Sequence, residues 1–252
     1  MSKIQSHFLS LIIPTYNKEK TIVDNIRGIQ AVLENIRYDY EMIVVVDGQV
    51  DNTLQVLKKT KIPKLRIFAY KENRGKGYAI RVGMHKSKGD YIMFIDSGFE
   101  IDPNGISMLL EHMEWYEADI IVGSKRHAAS QVSYSLLRRI LSLGYYWLVK
   151  ILFQVNVKDT QAGIKIFKKT VLQRLLPRLV EKKFAGDLEM LVAAKQLGYK
   201  RIFEAPIKLD YTFASVTDAA TLKSIYGILY DTLSIFYRTY ILQYYKKRSR
   251  KD

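Results

Sequence analysis

Asp96 closes a short apolar run, residues 91–96, and its type and place suit it to hold a metal ion. A Mg²⁺ or Mn²⁺ ion that bridges two phosphates prefers hard oxygen donors and takes one or two carboxylates from the protein. Glu100 follows a turn opened by Ser97 and Gly98, so the carboxylates of Asp96 and Glu100 could flank one ion. The alternative is that both are solvated loop acids, one of which caps the turn.

A second candidate is the segment N-R-G-K-G at residues 73–77, which combines two cations with two glycines. Glycines let a ligand approach backbone amides closely, and successive amides with nearby cations attract anions. Asn73, Lys76 and Gly77 are therefore candidates to bind a diphosphate. Taken alone, the segment is more typical of a solvated basic loop.

Two further apolar runs end in polar residues. Pro14, Tyr16 and Asn17 form a turn that could offer backbone groups and a ring to a nucleobase, or could simply connect a strand to a helix. Asp47 is followed by Gly48, and it could hold ribose hydroxyls or a base edge, or cap the next helix.

The elements that must position these residues are strands alternating with helices. Apolar runs at residues 8–14, 41–47, 65–70 and 91–96 are each followed by turn residues and a helical pattern. This order predicts parallel βαβ units and a doubly wound α/β sheet, whose ligands bind at the carboxyl ends of the strands. Further strands are predicted at residues 120–122, 163–167 and 201–209, with helices at 170–179 and 187–197.

The composition limits the class of protein. The chain has 252 residues, 48% of them hydrophobic, which is enough to bury the core of a large α/β domain. It has no cysteine, and its four His lack zinc-binding spacing, so any metal would be held by oxygen. The net charge of +15 favours phosphorylated substrates, anionic lipid or nucleic acid. No nucleic-acid-binding motif accompanies the charge, so nucleic acid is not expected.

Two apolar segments, residues 134–153 and 224–245, are expected to lie in a membrane interface. Charged residues such as Lys150 and Asp231 interrupt them, which favours lying at a bilayer surface over crossing it. For the first segment, a core helix is the alternative. A basic tail at residues 246–251 would add roughly 1 kcal/mol of attraction per cation near anionic lipid. The first ten residues lack a secretory signal, which predicts a peripheral protein on the cytoplasmic face.

Six segments of the chain occur in an order and spacing that are typical of one enzyme family. They read I-I-P-T-Y-N (12–17), V-V-D-G-Q-V-D-N-T (45–53), N-R-G-K-G-Y-A-I-R-V-G (73–83), G-D-Y-I-M-F-I-D (89–96), G-S-K-R (123–126) and D-T-Q-A-G-I-K-I-F (159–167). Together they resemble glycosyltransferase family 2, in particular the dolichyl- and polyprenyl-phosphate sugar synthases. The resemblance implies a GT-A fold over residues 1–216, followed by a C-terminal amphipathic helix and basic tail, residues 217–252.

The same resemblance implies a function and its residues. It implies transfer of a hexose from GDP-mannose or UDP-glucose to a polyprenyl phosphate, by inversion and with Mg²⁺ or Mn²⁺ as cofactor. Gly98 takes the place of the second acid of a D-x-D pair, so Glu100 is the expected second metal ligand beside Asp96. The expected catalytic residues are Asp96, Asp159 and Lys125. The expected nucleotide-sugar contacts are Pro14, Tyr16, Asn17, Asp47, Asn73, Lys76, Gly77 and Lys208. The expected acceptor-side residues are Arg126, Gln161 and Ser215, while Asp187 and Glu189 match an acidic pair of the family.

Three positions depart from the family pattern. Val46 replaces an acid, Gly98 replaces a metal-binding acid, and Val216 replaces a Lys. They leave open a second interpretation, a catalytically degenerate protein that binds a nucleotide or a partner. Catalysis could still survive, because a phosphate monoester is largely ionised at neutral pH and needs little help from a general base.

Overall fold

The computed structural model describes residues 7–98, 100–131, 136–209 and 222–247. The strands are β1 (Phe8–Thr15), β2 (Asp39–Asp47), β3 (Leu65–Tyr70), β4 (Tyr91–Ile95), β5 (Ile120–Ser124), β6 (Ile164–Lys168) and β7 (Ile202–Pro206). The helices are α1 (Ile22–Leu33), α2 (Thr53–Lys59), α3 (Lys76–Lys86), α4 (Gly105–Trp115), α5 (Leu136–Phe153), α6 (Lys169–Leu175), α7 (Gly186–Gln196) and α8 (Leu222–Phe236). A 3₁₀ turn (Leu176–Arg178) extends α6, and a π-helical turn (Tyr237–Ile241) extends α8.

The strands form one mixed sheet in the order β3-β2-β1-β4-β6-β5-β7. β1 pairs in parallel with β2 and β4, and β2 pairs in parallel with β3, so the predicted doubly wound arrangement is confirmed. β6 runs antiparallel to both of its neighbours, β4 and β5, and β7 pairs in parallel with β5. Because the strand order reverses between β1 and β4, a crevice opens where their carboxyl ends diverge.

The sheet separates two apolar layers. Ile12 and Val45 belong to the layer that also includes residues of α3 and α7, whereas Leu11 and Val44 belong to the layer that includes residues of α1 and α4. All four side chains are fully buried. A sheet covered on both faces explains why its central strands read as continuous apolar runs and not as alternating ones.

Helices α5 and α8 contain most of the two segments predicted to contact a membrane. They pack together, because the Tyr145 hydroxyl lies 3.1 Å from Thr232 Oγ1 and the Phe153 ring contacts the Phe236 ring. Their other faces leave large apolar side chains such as Trp147 exposed. In the part of the chain that the structure describes, no helix has the length and apolar character required to cross a bilayer. Membrane contact stays a prediction, as does the domain boundary near residue 216, which lies outside the described residues.

Candidate active site

Asp96 follows β4 at the crevice, as the sequence predicted, and a glycine makes room for it. Its backbone N–H donates a hydrogen bond to the Gly163 carbonyl at 2.9 Å. A Cβ atom placed on Gly163 would lie 2.0 Å from Asp96 Oδ2, far inside van der Waals contact. The carboxylate therefore occupies the space of the missing side chain. It is still 41% exposed, so one side remains open to a ligand.

A buried amide on α1 fixes the turn after Asp96. Asn25 Nδ2 donates a hydrogen bond of 2.7 Å to the Ser97 carbonyl, and both residues are buried. A buried carbonyl without a partner would be costly, so Asn25 stabilises this turn. The sequence analysis missed Asn25, although a polar amide among the apolar residues of α1 is the signal that could have found it.

Glu100 follows the same turn and is partly exposed. A Cβ atom placed on Gly98 would meet only Glu100 Cγ, at 3.9 Å, so the Glu100 side chain borders the space that a side chain at 98 would enter. Across the described residues, no cluster of three or more His, Asp or Glu side chains forms a complete metal site. Two carboxylates with substrate oxygens nevertheless suit Mg²⁺, which seldom uses an all-protein set of ligands.

Three charged side chains from three elements lie beside or behind Asp96. Lys76, the first residue of α3, places its Nζ 2.8 Å from Asp96 Oδ1 and 3.2 Å from Asp187 Oδ2. Lys165 of β6 is fully buried, and its Nζ donates to Asp187 Oδ1 and to the Ala162 carbonyl, each at 2.7 Å. We call Lys76, Asp96, Lys165 and Asp187 the charge cluster. Two ammonium groups balance two carboxylates, so the cluster is formally neutral.

The pKa shifts agree with this pairing. Burial tends to lower the pKa of Lys76, but the carboxylates of Asp187 and Asp96 outweigh it and hold that pKa above its ordinary value. Burial tends to raise the pKa of Asp187, and the ammonium groups of Lys165 and Lys76 instead hold it below its ordinary value. The pKa of Lys165 is lowered by burial, which Asp187 only partly offsets.

Asp47 lies in the crevice, but its carboxylate is engaged by the protein. Its Oδ1 accepts hydrogen bonds from the Tyr70 hydroxyl at 2.8 Å and from the Arg74 backbone N–H at 2.7 Å, and its Oδ2 accepts one from Gly75 N–H at 3.0 Å. Asn73 also donates, through Nδ2, to the Asp47 carbonyl at 3.3 Å. Asp47 and Asn73 thus hold the 73–75 loop in shape. The adjacent Val46 is buried in the core.

The glycines of the 73–77 segment pack closely against main chain, and their contact with a diphosphate stays a prediction. A Cβ atom on Gly75 would lie 2.4 Å from the Lys182 carbonyl oxygen, and one on Gly77 would lie 2.8 Å from the Lys183 carbonyl oxygen. The Tyr78 backbone N–H donates a hydrogen bond to the Lys182 carbonyl at 3.0 Å. Main chain thus fills the space at Gly77. The Lys76 side chain is the part of this segment that contacts Asp96.

The turn after β1 presents an exposed aromatic ring beside a buried hydroxyl. Tyr16 is 45% exposed, Asn17 is exposed with a positive φ of 52°, and Pro14 is buried. Thr15 Oγ1 is buried, and it has no hydrogen-bond partner among the described residues. A buried hydroxyl without a partner is costly, so Thr15 is a candidate contact for a ligand in the crevice that the sequence analysis did not assign.

The predicted catalytic pair Asp159 and Lys125 is brought together. Asp159 Oδ2 accepts a hydrogen bond from the Lys125 backbone N–H at 3.0 Å and lies 3.6 Å from Lys125 Nζ. Glu204 of β7 accepts from the Asp159 backbone N–H at 3.1 Å. Asp159 is buried, so holding Lys125 suits it better than abstracting a proton from a bulky acceptor.

Two predicted acceptor-side residues form hydrogen bonds to side chains of α5. Gln161 Nε2 donates to the Tyr145 hydroxyl at 3.3 Å, and Arg126 donates to Ser142 Oγ at 2.9 Å while its guanidinium stacks over the Tyr146 ring. Both residues therefore connect the loops near the crevice to the helix that exposes apolar side chains.

The remaining predicted residues are placed differently. Lys208 is exposed, and its carbonyl accepts a hydrogen bond from the Asp102 N–H at 2.9 Å, which anchors the loop after Glu100. Ser215 lies outside the described residues. Glu189 is fully buried away from the charge cluster, where it accepts hydrogen bonds from Glu181 N–H at 2.8 Å and from the Tyr245 hydroxyl at 2.7 Å. The two acids predicted at the start of α7 therefore have different partners: Asp187 belongs to the charge cluster, and Glu189 binds Glu181 and Tyr245.

Comparison with solved structures identifies the fold. Glucosyl-3-phosphoglycerate synthase from Mycobacterium tuberculosis, in complex with Mn²⁺, UDP-glucose and phosphoglyceric acid, aligns with a TM-score of 0.71 at 17% identity, over 91% of this chain and 80% of that one. Mannosyl-3-phosphoglycerate synthase from Rubrobacter xylanophilus aligns with a TM-score of 0.69 at 14% identity, over 98% and 77%. The mixed sheet with an acid at the end of β4 is thus of the GT-A type, as predicted.

Sequence comparison identifies the family. Residues 10–176 match the model of glycosyl transferase family 2, and the chain belongs to that family. Dolichyl-phosphate β-glucosyltransferase from Drosophila melanogaster is 33% identical over 75% of this chain and 63% of its own length. The proteins of the same name from Dictyostelium discoideum and Homo sapiens are 28% and 30% identical, over 98% and 81% of this chain and 79% and 67% of their lengths. The chain thus spans less than two thirds of the Drosophila relative.

Proposed function

We propose that this protein transfers glucose from UDP-glucose to dolichyl phosphate or a similar polyprenyl phosphate. The observation that carries the proposal is the half-open Asp96 carboxylate at the switch point of the sheet, next to Lys76 and Glu100. That site suits a nucleotide diphosphate with a divalent ion, and the names of the family relatives supply the sugar and the acceptor. The GDP-mannose alternative finds no support in those names.

Asp96 and Glu100 are the residues that would hold the Mg²⁺ or Mn²⁺ ion. Both are oxygen donors on one turn, and both side chains are partly exposed. A bound divalent ion supplies charge stabilisation to a departing diphosphate. Lys76 would add a cation to the same region, because it already reaches the Asp96 carboxylate.

Inversion at the sugar carbon fits the proposed substrates. UDP-glucose carries glucose in α linkage, and the relatives are named for a β product, so one in-line displacement by a phosphate oxygen suffices. The acceptor phosphate is largely ionised at neutral pH and attacks without a strong base. Lys125, held by Asp159, is positioned to orient that phosphate electrostatically.

A lipid acceptor requires access to a membrane surface. Helix α5 exposes Ile140, Trp147 and Ile151, which recur on one helical face, and α8 with its extension exposes Tyr230 and Tyr237. Gln161 and Arg126 link the crevice to α5. We therefore propose peripheral membrane association through these two helices. Its assignment to the cytoplasmic side stays a prediction.

The test is a transfer assay with sugar-radiolabelled UDP-glucose or GDP-mannose, dolichyl phosphate and Mg²⁺ or Mn²⁺. We expect an organic-extractable product with UDP-glucose and not with GDP-mannose. Removal of the divalent ion by a chelator should abolish this product. Asp96→Asn should lower the rate about a hundredfold or more, because several kcal/mol of charge stabilisation depend on the ion. Glu100→Gln should raise the metal concentration needed for half-maximal rate. Unchanged activity in Asp96→Asn would refute the metal assignment.

Asp102→Asn is the matched control for these variants. Asp102 lies on the same loop, but its Oδ1 accepts hydrogen bonds from the Asn104 backbone N–H and side chain at 2.9 Å. Asp102 lies in the turn before α4, where its carbonyl also accepts a hydrogen bond from the Gly105 N–H at 2.9 Å, so its replacement should leave the metal dependence unchanged.

The second candidate function is a degenerate binder of nucleotide sugar. The burial of Val46 and the glycine at 98 favour it, because both positions lack an acid that the family pattern would supply. A protein of this kind would be stabilised against heat by UDP-glucose and would form no lipid product.

A further inference from the structure

Lys76 lies where a cation would sit on Asp96. Its Nζ is 2.8 Å from Asp96 Oδ1 and 3.1 Å from Oδ2, so one ammonium group contacts both oxygens of the carboxylate. The same Nζ is 3.2 Å from Asp187 Oδ2, and its distance from the Phe94 ring centroid is 5.8 Å. Lys76 is therefore shared between a half-exposed acid at the crevice and a buried acid behind it.

We infer that Lys76 is a built-in counter-ion of Asp96. A divalent cation must displace the Lys76 ammonium from Asp96, and a nucleotide diphosphate draws that ammonium away. This inference rests on the proposed function, since it concerns the same site. It makes the binding of metal and of diphosphate interdependent: the metal alone binds weakly, and the diphosphate strengthens it by providing Lys76 with another anion.

The charges of the cluster support displacement over coexistence. A divalent ion on Asp96 would stand within a few ångströms of the Lys76 ammonium, and like charges at that distance repel strongly in a partly buried site. The Lys76 ammonium already contacts both oxygens of the Asp96 carboxylate, at 2.8 and 3.1 Å. An ion that binds Asp96 therefore requires the Lys76 ammonium to move away from that carboxylate.

Asp187 and Lys165 make such a movement possible without unpairing a buried charge. Lys165 is held by the Ala162 carbonyl and by Asp187 Oδ1, which leaves Asp187 Oδ2 as the second contact of Lys76. When Lys76 leaves Asp96, Asp187 keeps the Lys165 ammonium as a partner. Asp187 and Lys165 are thus positioning residues for Lys76, and only Lys76 needs a flexible side chain at the crevice.

The test measures Mn²⁺ binding to the protein without sugar or lipid, by the electron paramagnetic resonance signal of free Mn²⁺. We expect Lys76→Gln to bind Mn²⁺ at least about fivefold more tightly than the wild type, the lower end of typical coupling between sites. Lys76→Arg keeps the charge and should bind Mn²⁺ as weakly as the wild type. With UDP present, the wild type should gain Mn²⁺ affinity by a larger factor than Lys76→Gln.

Arg74→Gln is the matched control, because it removes a cation from the same loop. The Arg74 guanidinium contacts the Tyr78 hydroxyl and, among the described residues, none of the acids of the charge cluster. Its Mn²⁺ affinity should equal that of the wild type, which separates a local counter-ion from the general charge of the protein. Equal or weaker Mn²⁺ binding by Lys76→Gln would overturn the inference.

A second variant keeps the inference testable if Lys76→Gln does not fold, which its thermal unfolding would show. Asp187→Asn removes the alternative partner, so Lys76 should stay on Asp96 and Mn²⁺ alone should bind more weakly than in the wild type. Unchanged or tighter binding would contradict the inference. The outcome is separate from that of the transfer assay, because an enzyme that makes glucosyl lipid can lack this coupling, and a binder without turnover can show it.

Discussion

A single missing side chain determines where the Asp96 carboxylate can lie. Gly163 belongs to the D-T-Q-A-G-I-K-I-F segment, and its φ is not in the left-handed region, so the backbone there would tolerate any residue. Only the approach of Asp96 Oδ2 requires glycine. This segment is recognisable in the sequence by family resemblance, but the reason for its glycine is steric and becomes visible only when β4 and β6 are paired.

Gly163→Ala should therefore damage the site more than the fold. A Cβ atom 2.0 Å from Asp96 Oδ2 forces the carboxylate to rotate, and its half-open side gives it room to do so. We expect weaker Mn²⁺ binding and at least about a tenfold loss of glucosyl transfer, with a fall in stability of about 1 kcal/mol, at the low end for added methyl groups in packed sites. Gly144→Ala, whose Cβ would meet nothing within 4 Å, is the control and should preserve both properties. Normal Mn²⁺ binding by Gly163→Ala would contradict this steric role.

The sequence could identify individual residues of the site but not their pairing. Asp96 and Lys76 are recognisable as an acid at a strand end and a cation in a glycine-rich segment, whereas Asp187 is recognisable only through the family resemblance. A Lys such as Lys165 is by its residue type expected at the surface. Its burial follows from its position on β6, the antiparallel strand between β4 and β5, and no local pattern in the sequence indicates that direction.

At the scale of elements, the charge cluster joins parts of the chain that are distant in sequence. Lys76 begins α3, Lys165 lies on β6 and Asp187 lies in the first turn of α7, where a carboxylate also gains from the helix dipole. The apolar runs predicted the strands well, because the sheet is buried on both faces. They could not predict that α3 and α7 begin side by side, which depends on the contact of Gly186 with Gly77.

Asp187→Asn should lower the free energy of unfolding at neutral pH. In acid, the difference between the variant and the wild type should disappear. The pKa of Asp187 in the folded protein lies below its ordinary value of 3.8, so its pairing stabilises the fold fully above that value and is lost as the pH falls through the lower folded pKa. We expect a loss of about 3 kcal/mol at pH near 7, because Lys165 remains buried with its partner removed. Urea unfolding of both proteins at neutral pH and in acid measures the difference.

An exposed ion pair provides the control for that measurement. Asp39 pairs with Lys64 at 2.5 Å on the surface, so Asp39→Asn should change stability much less than Asp187→Asn. A difference between wild type and Asp187→Asn that stays constant into acid would show that the lost stability does not come from the charge of Asp187.

At the scale of the whole molecule, the C-terminal segment is tied to the core near the site. Tyr245 is fully buried, and its hydroxyl donates to Glu189 while accepting from Arg238 Nε at 3.2 Å. Glu189 in turn accepts from the backbone of Val180 and Glu181, and the next residues pack on Gly75 and Gly77. Helix α8 is thus connected to the loop that carries Lys76. An apolar surface attached in this way would suit the lipid acceptor that we propose.

The two tryptophans of the chain allow that surface to be tested directly. Trp147 lies on α5 within the proposed membrane surface and is 51% exposed, whereas Trp115 ends α4 and is 84% exposed. If α5 enters a bilayer interface, the fluorescence of Trp147 should shift to the blue on addition of phosphatidylcholine–phosphatidylserine vesicles, because aromatic side chains prefer that region. Trp115→Phe isolates the Trp147 signal, and Trp147→Phe isolates Trp115, which should not shift. Added salt should weaken the response, since the +15 protein is attracted to anionic lipid. A shift of Trp115 in place of Trp147 would assign membrane contact to α4 and not to α5.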